Sequence, residues 1–128
     1  MNTSSRILVI EDDSAVLEFI SLALSDEGYE VAAAEDGRAG LALIQTFRPH
    51  LLLLDTYMPG VDGMAFLEDY HKMPIARVPV IGLSASGSAS PLAAAPDVDE
   101  FLEKPFELDK LFETVEKWIS AQHIEGSV

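Results

Sequence analysis

The chain has 128 residues, 48% of them apolar, and carries 22 acidic against 8 basic side chains for a formal charge of −14. That size and composition predict one domain with a proper core and exclude a disordered chain. The acidic balance disfavours DNA, RNA and anionic lipid as partners, and the lack of cysteine excludes disulfides and thiolate metal sites.

The opening Met1-Asn2-Thr3-Ser4-Ser5-Arg6 lacks the pattern of a secretory leader. No apolar run approaches the roughly 18 residues of a membrane span. The absence of cysteine makes a cytoplasmic location the expectation. Ile7–Ile10 reads as a first strand, ended by Glu11 and Asp12. A helix over Ser14–Asp26 follows, with Val16, Leu17, Ile20, Ala23 and Leu24 at helical spacing and Gly28 placed to end it. Tyr29–Ala33 reads as a second strand and Gly37–Thr46 as a second helix, with Asp36 as its cap.

Leu51-Leu52-Leu53-Leu54 is a short, wholly apolar run before Asp55, the pattern of a central parallel strand covered on both faces. Pro59-Gly60 marks a turn, and a helix over Gly63–His71 carries Phe66 and Leu67. A fourth strand is expected over Val78–Leu83 and a short fifth near Glu100–Leu102. Between them Ser84–Pro96 is built of small residues with two prolines, so at most a shortened helix fits between Pro91 and Pro96. The last helix presents Leu108, Leu111, Phe112, Val115, Trp118 and Ile119 as one stripe, read as core packing.

Five strands alternating with helices predict an α/β, doubly wound parallel sheet. In such sheets the functional crevice lies at the carboxyl ends of the strands, where strand order reverses. Glu11, Asp12, Asp55, Ser84 and Lys104 all follow apolar runs, so they can share that edge. Clustered carboxylates repel unless a cation joins them. Oxygen ligands alone favour a hard ion, Mg²⁺ with Mn²⁺ as a substitute; the ligand candidates are Asp12 and Asp55, with Glu11 direct or through water. Asp55 is the candidate nucleophile, able to form an aspartyl phosphate. Lys104 would offset charge on a transferring phosphoryl group, and Ser84 would offer it a hydroxyl. His50, His71 and His123 show no metal-ligand spacing.

These motifs resemble a two-component response-regulator receiver domain. Ile7-Leu8-Val9-Ile10-Glu11-Asp12-Asp13 is similar to its opening. Asp55-Thr56-Tyr57-Met58-Pro59-Gly60 with Asp62-Gly63 is similar to its phosphorylation loop, Ser84-Ala85 to its hydroxyl-alanine pair, and Lys104-Pro105-Phe106 to its lysine and cis-proline. The resemblance covers about residues 5–121 and implies a single receiver domain over the whole chain, 1–128. The implied fold is flavodoxin-like (βα)5, strand order 2-1-3-4-5.

The implied function is phosphoacceptor in a His-Asp phosphorelay. Asp55 takes a phosphoryl group from a sensor histidine kinase or a histidine phosphotransfer protein and switches a surface read by a downstream protein. Glu11, Asp12, Asp55 and the Tyr57 backbone carbonyl would organise Mg²⁺. Lys104 would contact the phosphoryl group, Ser84 and Phe101 would act as the switch pair, and Tyr57 and Ser86 would tune phosphoryl lifetime. Ser14, Ala15 and Glu18 would meet the phosphodonor. The protein would promote its own phosphorylation and dephosphorylation, which leaves its status as an enzyme open, and would be a monomer or weak dimer. Two departures stand out. The Ser84-to-Lys104 spacing is about two residues short, and Asp97-Val98 replaces the usual Gly-Ala.

Competing readings share the fold. A P-loop nucleotidase or an FMN binder needs a phosphate-cradling loop after the first strand, where this chain has Glu11-Asp12-Asp13. An aspartate-based phosphohydrolase usually needs an acid two residues after the nucleophile, and position 57 is tyrosine. A receiver-shaped interaction module that takes no phosphate is the remaining alternative.

Overall fold

The leucine run is the middle of the molecule. In a computed structural model, which describes residues 5–55, 63–75, 77–85 and 98–126, Leu51–Asp55 forms strand β3, buried at every position. It lies between β1 (Arg6–Ile10) and β4 (Val80–Ala85). β2 (Glu30–Ala34) and β5 (Glu100–Lys104) complete a parallel sheet of order β2-β1-β3-β4-β5, as expected. β1 pairs with β2 on one side (Ile10↔Ala34) and with β3 on the other (Ile10↔Leu54). Strand order thus reverses between β1 and β3, and Glu11 and Asp55 sit at the carboxyl end of that switch.

Alternation along each strand sends successive side chains to opposite faces. Ile7, Val9, Leu51, Leu53, Ile81, Leu83 and Leu102 form one core cluster with Leu17, Ile20 and Leu24 of α1 (Ser14–Asp26) and Leu111, Val115 and Ile119 of α4 (Leu108–Gly126). Leu8, Ile10, Leu52, Leu54 and Val80 form the other with Ile44 of α2 (Gly37–Phe47) and Phe66, Leu67 and Tyr70 of α3 (Gly63–Lys72). The stripe predicted for the last helix is therefore core, with Trp118 packed at its edge. Among the described residues, no helix is long and apolar enough to cross a membrane.

Element ends follow local hydrogen bonding. Asp13 caps α1, its side chain accepting from Ala15 N at 3.0 Å and Val16 N at 3.2 Å. Asp36 caps α2 through Ala39 N at 2.8 Å, as its place before the helix predicts. Gly28, at φ 100, donates to the Ser25 carbonyl beyond α1. β2 starts one residue later than expected because the Tyr29 N–H is taken by the Leu24 carbonyl at 3.2 Å.

β4 starts two residues later than expected. Pro79 has no N–H, the Val78 N–H goes to Tyr70 Oη at 2.8 Å, and the strand begins where the Val80 N–H reaches Asp99 Oδ2 at 2.9 Å. β4 and β5 also run further than expected, so Ser84 and Lys104 are strand residues and do not lie beyond the strands. The Pro59-Gly60 turn and the short helix expected between Pro91 and Pro96 lie outside the described residues.

Candidate metal and phosphoryl site

The switch point brings three acids together. Glu11 follows the fully buried Ile10 and is itself 1% exposed. Its Oε2 accepts the Asp13 N–H at 3.1 Å, and its Oε1 lies 2.6 Å from Lys104 Nζ. The carboxylate is thereby held from both sides. Asp55 ends β3 and is 4% exposed, whereas Asp12 is exposed. One carboxylate oxygen from each of Glu11, Asp12 and Asp55 lies within 4.8 Å of the others.

Lys104 ends β5, across the sheet, and its ammonium also lies 3.7 Å from Asp55 Oδ1. The peptide bond from Lys104 to Pro105 is cis. At an effective dielectric of about 20, like charges this close repel by roughly 3 kcal/mol per pair. One ammonium against three carboxylates gives these four side chains a formal surplus of two negative charges. An all-oxygen donor set with that surplus fits a hard divalent cation and offers no nitrogen or sulfur to a softer one. The geometry matches a Mg²⁺ site.

Ser84 and Phe101 lie on the neighbouring strands β4 and β5. Ser84 is half-buried and in register with Glu103, one step beyond the Asp55↔Leu83 pair. Phe101 is half-buried, packs on the core cluster that faces α2 and α3, and pairs with Gly82. Alternation puts Ser84 and Phe101 on that same face, and Gly82 adds no side chain beside the ring. Tyr57 and Ser86 lie outside the described residues.

Two features escaped sequence reasoning. Asp13, named from sequence only as the end of the opening motif, caps α1 and orients Glu11; an acid before a helical pattern is the signal for it. Trp118, expected only as packing, donates its indole N–H to Glu100 Oε1 at 2.7 Å, and Lys117 Nζ lies 2.6 Å from the same oxygen. Burial alone would raise the Glu100 pKa, but hydrogen bonds from Lys117 and Trp118 and the charges of Lys117 and Lys110 outweigh it, and the carboxyl is held below its ordinary value. Sequence offers no signal for that contact, because it depends on how α4 lies across β5.

Comparison with known proteins gives one answer. Residues 7–116 match the family model described as response regulator receiver domain. The response regulator MprA of Mycolicibacterium vanbaalenii is 40% identical over 108 residues, which span 83% of this chain and 46% of MprA. The KDP operon transcriptional regulatory protein KdpE of Escherichia coli is 37% identical over 109 residues, 84% of this chain and 48% of KdpE. The chain thus spans about half the length of these curated relatives. Among solved structures, a response regulator receiver domain protein (CheY-like) from Methanospirillum hungatei superposes with a TM-score of 0.85 at 30% identity, covering 96% of this chain and 99% of that one.

Proposed function

The chain belongs to the response regulator receiver domain family, and from that premise we propose that it is the phosphoacceptor of a His-Asp phosphorelay, with Asp55 as the accepting residue. The observation that carries the reading is the gathering of Glu11, Asp12, Asp55 and Lys104 at one sheet edge, with Asp55 and Glu11 buried and the ammonium within 4 Å of both. Such a cluster is typical of the phosphoaccepting site of two-component regulators.

An Asp55 carboxylate oxygen attacks the phosphorus of a phosphohistidine on a partner protein. The P–N bond breaks, its electron pair stays on the imidazole nitrogen, and an aspartyl phosphate forms. Bound Mg²⁺ would offset charge on the phosphoryl oxygens. Asp12 and Asp55 would ligate it with the Tyr57 carbonyl. Glu11, whose two oxygens are engaged by Lys104 and Asp13, would act through water. Lys104 would leave Glu11 for a phosphoryl oxygen. Reversal by water splits the P–O bond, returns the Asp55 carboxylate and releases inorganic phosphate and a proton.

The partner is a histidine kinase or histidine phosphotransfer protein. Ser14, Ala15 and Glu18 are exposed at the start of α1, next to the site, where such a donor would have to lie. Ser84 and Phe101, on one face, would respond to the phosphoryl group and alter a surface for a downstream protein. Tyr57 and Ser86 would set the lifetime of the phosphorylated state. Intact-mass measurement after incubation with Mg²⁺ and acetyl phosphate tests the reading. The expected result is one added phosphoryl group in the wild type and none in Asp55→Asn. An unmodified wild type would favour the silent interaction module, and a mass gain surviving D55N would move the phosphosite elsewhere.

A further inference from the structure

Glu100 and Lys104 begin and end the same strand and, with Leu102, share its face toward α4. Among the described residues β5 pairs only with β4, so it is an edge strand. Its position along the sheet is set by that ladder, by the packing of Phe101 and Leu102, by the Asp99–Val80 hydrogen bonds that precede it and by the contacts at its two ends. At one end Lys104 Nζ lies 2.6 Å from Glu11 Oε1. About 13 Å of extended chain away, Glu100 Oε1 lies 2.6 Å from Lys117 Nζ and accepts the Trp118 indole N–H at 2.7 Å. Lys117 Nζ also sits 5.6 Å from the centre of the Trp118 ring. Contacts this short are at the near limit for charge-assisted hydrogen bonds. A slide or twist of β5 that the Lys104 and Lys117 side chains do not follow lengthens them.

Building on the phosphoacceptor reading, we infer that Glu100, Lys117 and Trp118 form a latch coupled through β5 to Lys104, closed while Lys104 is held by Glu11 and opened when a phosphoryl group on Asp55 draws Lys104 away. Glu100 is then a positioning residue, acting on the site through the strand. The latch is built to yield, because the Lys117 side chain is 59% exposed and an ion pair of that kind is weak. Its partner Trp118 is packed against the core cluster that holds Leu102, so opening changes the surroundings of a single tryptophan. Linkage fixes the sign of the effect: what phosphorylation opens, opening must favour.

The test titrates beryllium trifluoride with Mg²⁺, a non-covalent phosphoryl mimic, into wild type, Glu100→Gln and Lys117→Ala, with acetyl phosphate labelling of the same samples followed by mass. E100Q keeps an oxygen for the indole and loses the charge facing Lys117; K117A truncates an exposed side chain and leaves the core intact. The expected results are a shift of wild-type Trp118 emission on saturation and mimic binding about 5-fold tighter in both variants. A purely structural role predicts weaker or equal binding. Unchanged or weaker binding in either variant, or wild-type emission that stays put while Asp55 is labelled, overturns the latch and spares the phosphoacceptor reading. Absence of any label on the wild type removes that reading and the latch with it.

Discussion

The Lys104 ammonium sits 2.6 Å from Glu11 Oε1 but 3.7 Å from Asp55 Oδ1, so at rest it neutralises the neighbour of the proposed phosphoacceptor more than the acceptor itself. Glu11 is 1% exposed and has no other cation within salt-bridge distance among the described residues. Removing one partner of a buried pair costs about 3–5 kcal/mol; Lys104 is 23% exposed, so Lys104→Met should cost less, about 2 kcal/mol. Mg²⁺ should restore part of the loss, because it supplies the missing positive charge. Urea unfolding with EDTA and with Mg²⁺ measures both effects. Equal stability of K104M and wild type in EDTA would show that Lys104 is not the counter-ion of Glu11.

Asp12 differs from its two partners in being exposed. Without metal, its charge only adds to the repulsion, so Asp12→Asn should be slightly more stable than wild type in EDTA, by less than about 1 kcal/mol. With Mg²⁺ the order should reverse. Wild type gains roughly 2.7 kcal/mol at a hundred times its dissociation constant, and D12N should need at least about ten times more Mg²⁺ for the same gain. Thermal melts across a Mg²⁺ series show whether the two curves cross. Parallel curves would take Asp12 out of the metal site.

Glu100 gives stability a pH dependence of known sign. Its hydrogen bonds to Lys117 and Trp118 outweigh the cost of burial, and its folded-state pKa is lowered. The folded state therefore binds fewer protons than the unfolded one through that range. The stabilisation is fully present above the ordinary glutamate value of about 4.3 and is lost as pH falls through the folded value. E100Q should be less stable than wild type at pH 7, by under about 1 kcal/mol because the pair is partly exposed. The gap should close below about pH 4. Chemical unfolding of both proteins from pH 3 to 7 tests it, and a gap that persists undiminished at pH 3 would show that the Glu100 charge is not its source.

Much of this was readable from the chain because burial and chemistry change at the same positions. Leu51–Leu54 are all 0% exposed and stop at Asp55; Ile7–Ile10 are all 0% exposed and stop at Glu11. An apolar run that ends in an acid marks both a doubly covered strand and its functional end. What stayed hidden depends on contacts between distant segments. The start of β4 is set by Tyr70 and Asp99, eight and nineteen residues away from their partners. The preference of Lys104 for Glu11 over Asp55 is a difference of about one ångström across 93 residues of chain. The latch at Glu100 has the same origin, since Lys117 and Trp118 are ordinary residues of an amphipathic helix until α4 is laid on β5.

Gly40 joins the fold to the site. It is buried in α2, and a methyl group there would lie 2.6 Å from Ile10 Cδ1, 3.0 Å from Ile10 Cγ1 and 3.4 Å from Phe66 Cε1. In an exposed helix, Gly→Ala stabilises by about 1 kcal/mol. Here Ile10 is fully buried, so its side chain has to shift against its core neighbours to make room. Overpacking of this kind costs about 1–3 kcal/mol, so Gly40→Ala should come out destabilised by about 1 kcal/mol. Ile10 immediately precedes Glu11, so the displaced side chain also disturbs the acid cluster, and Mg²⁺ binding should weaken with stability. Ile10→Val removes the Cδ1 atom nearest the new methyl group, and G40A/I10V should recover much of both losses. Denaturant melts and Mg²⁺ titrations of the two single variants and the double variant form a closed cycle. Strict additivity in that cycle would mean the clash at Ile10 is not what makes glycine necessary.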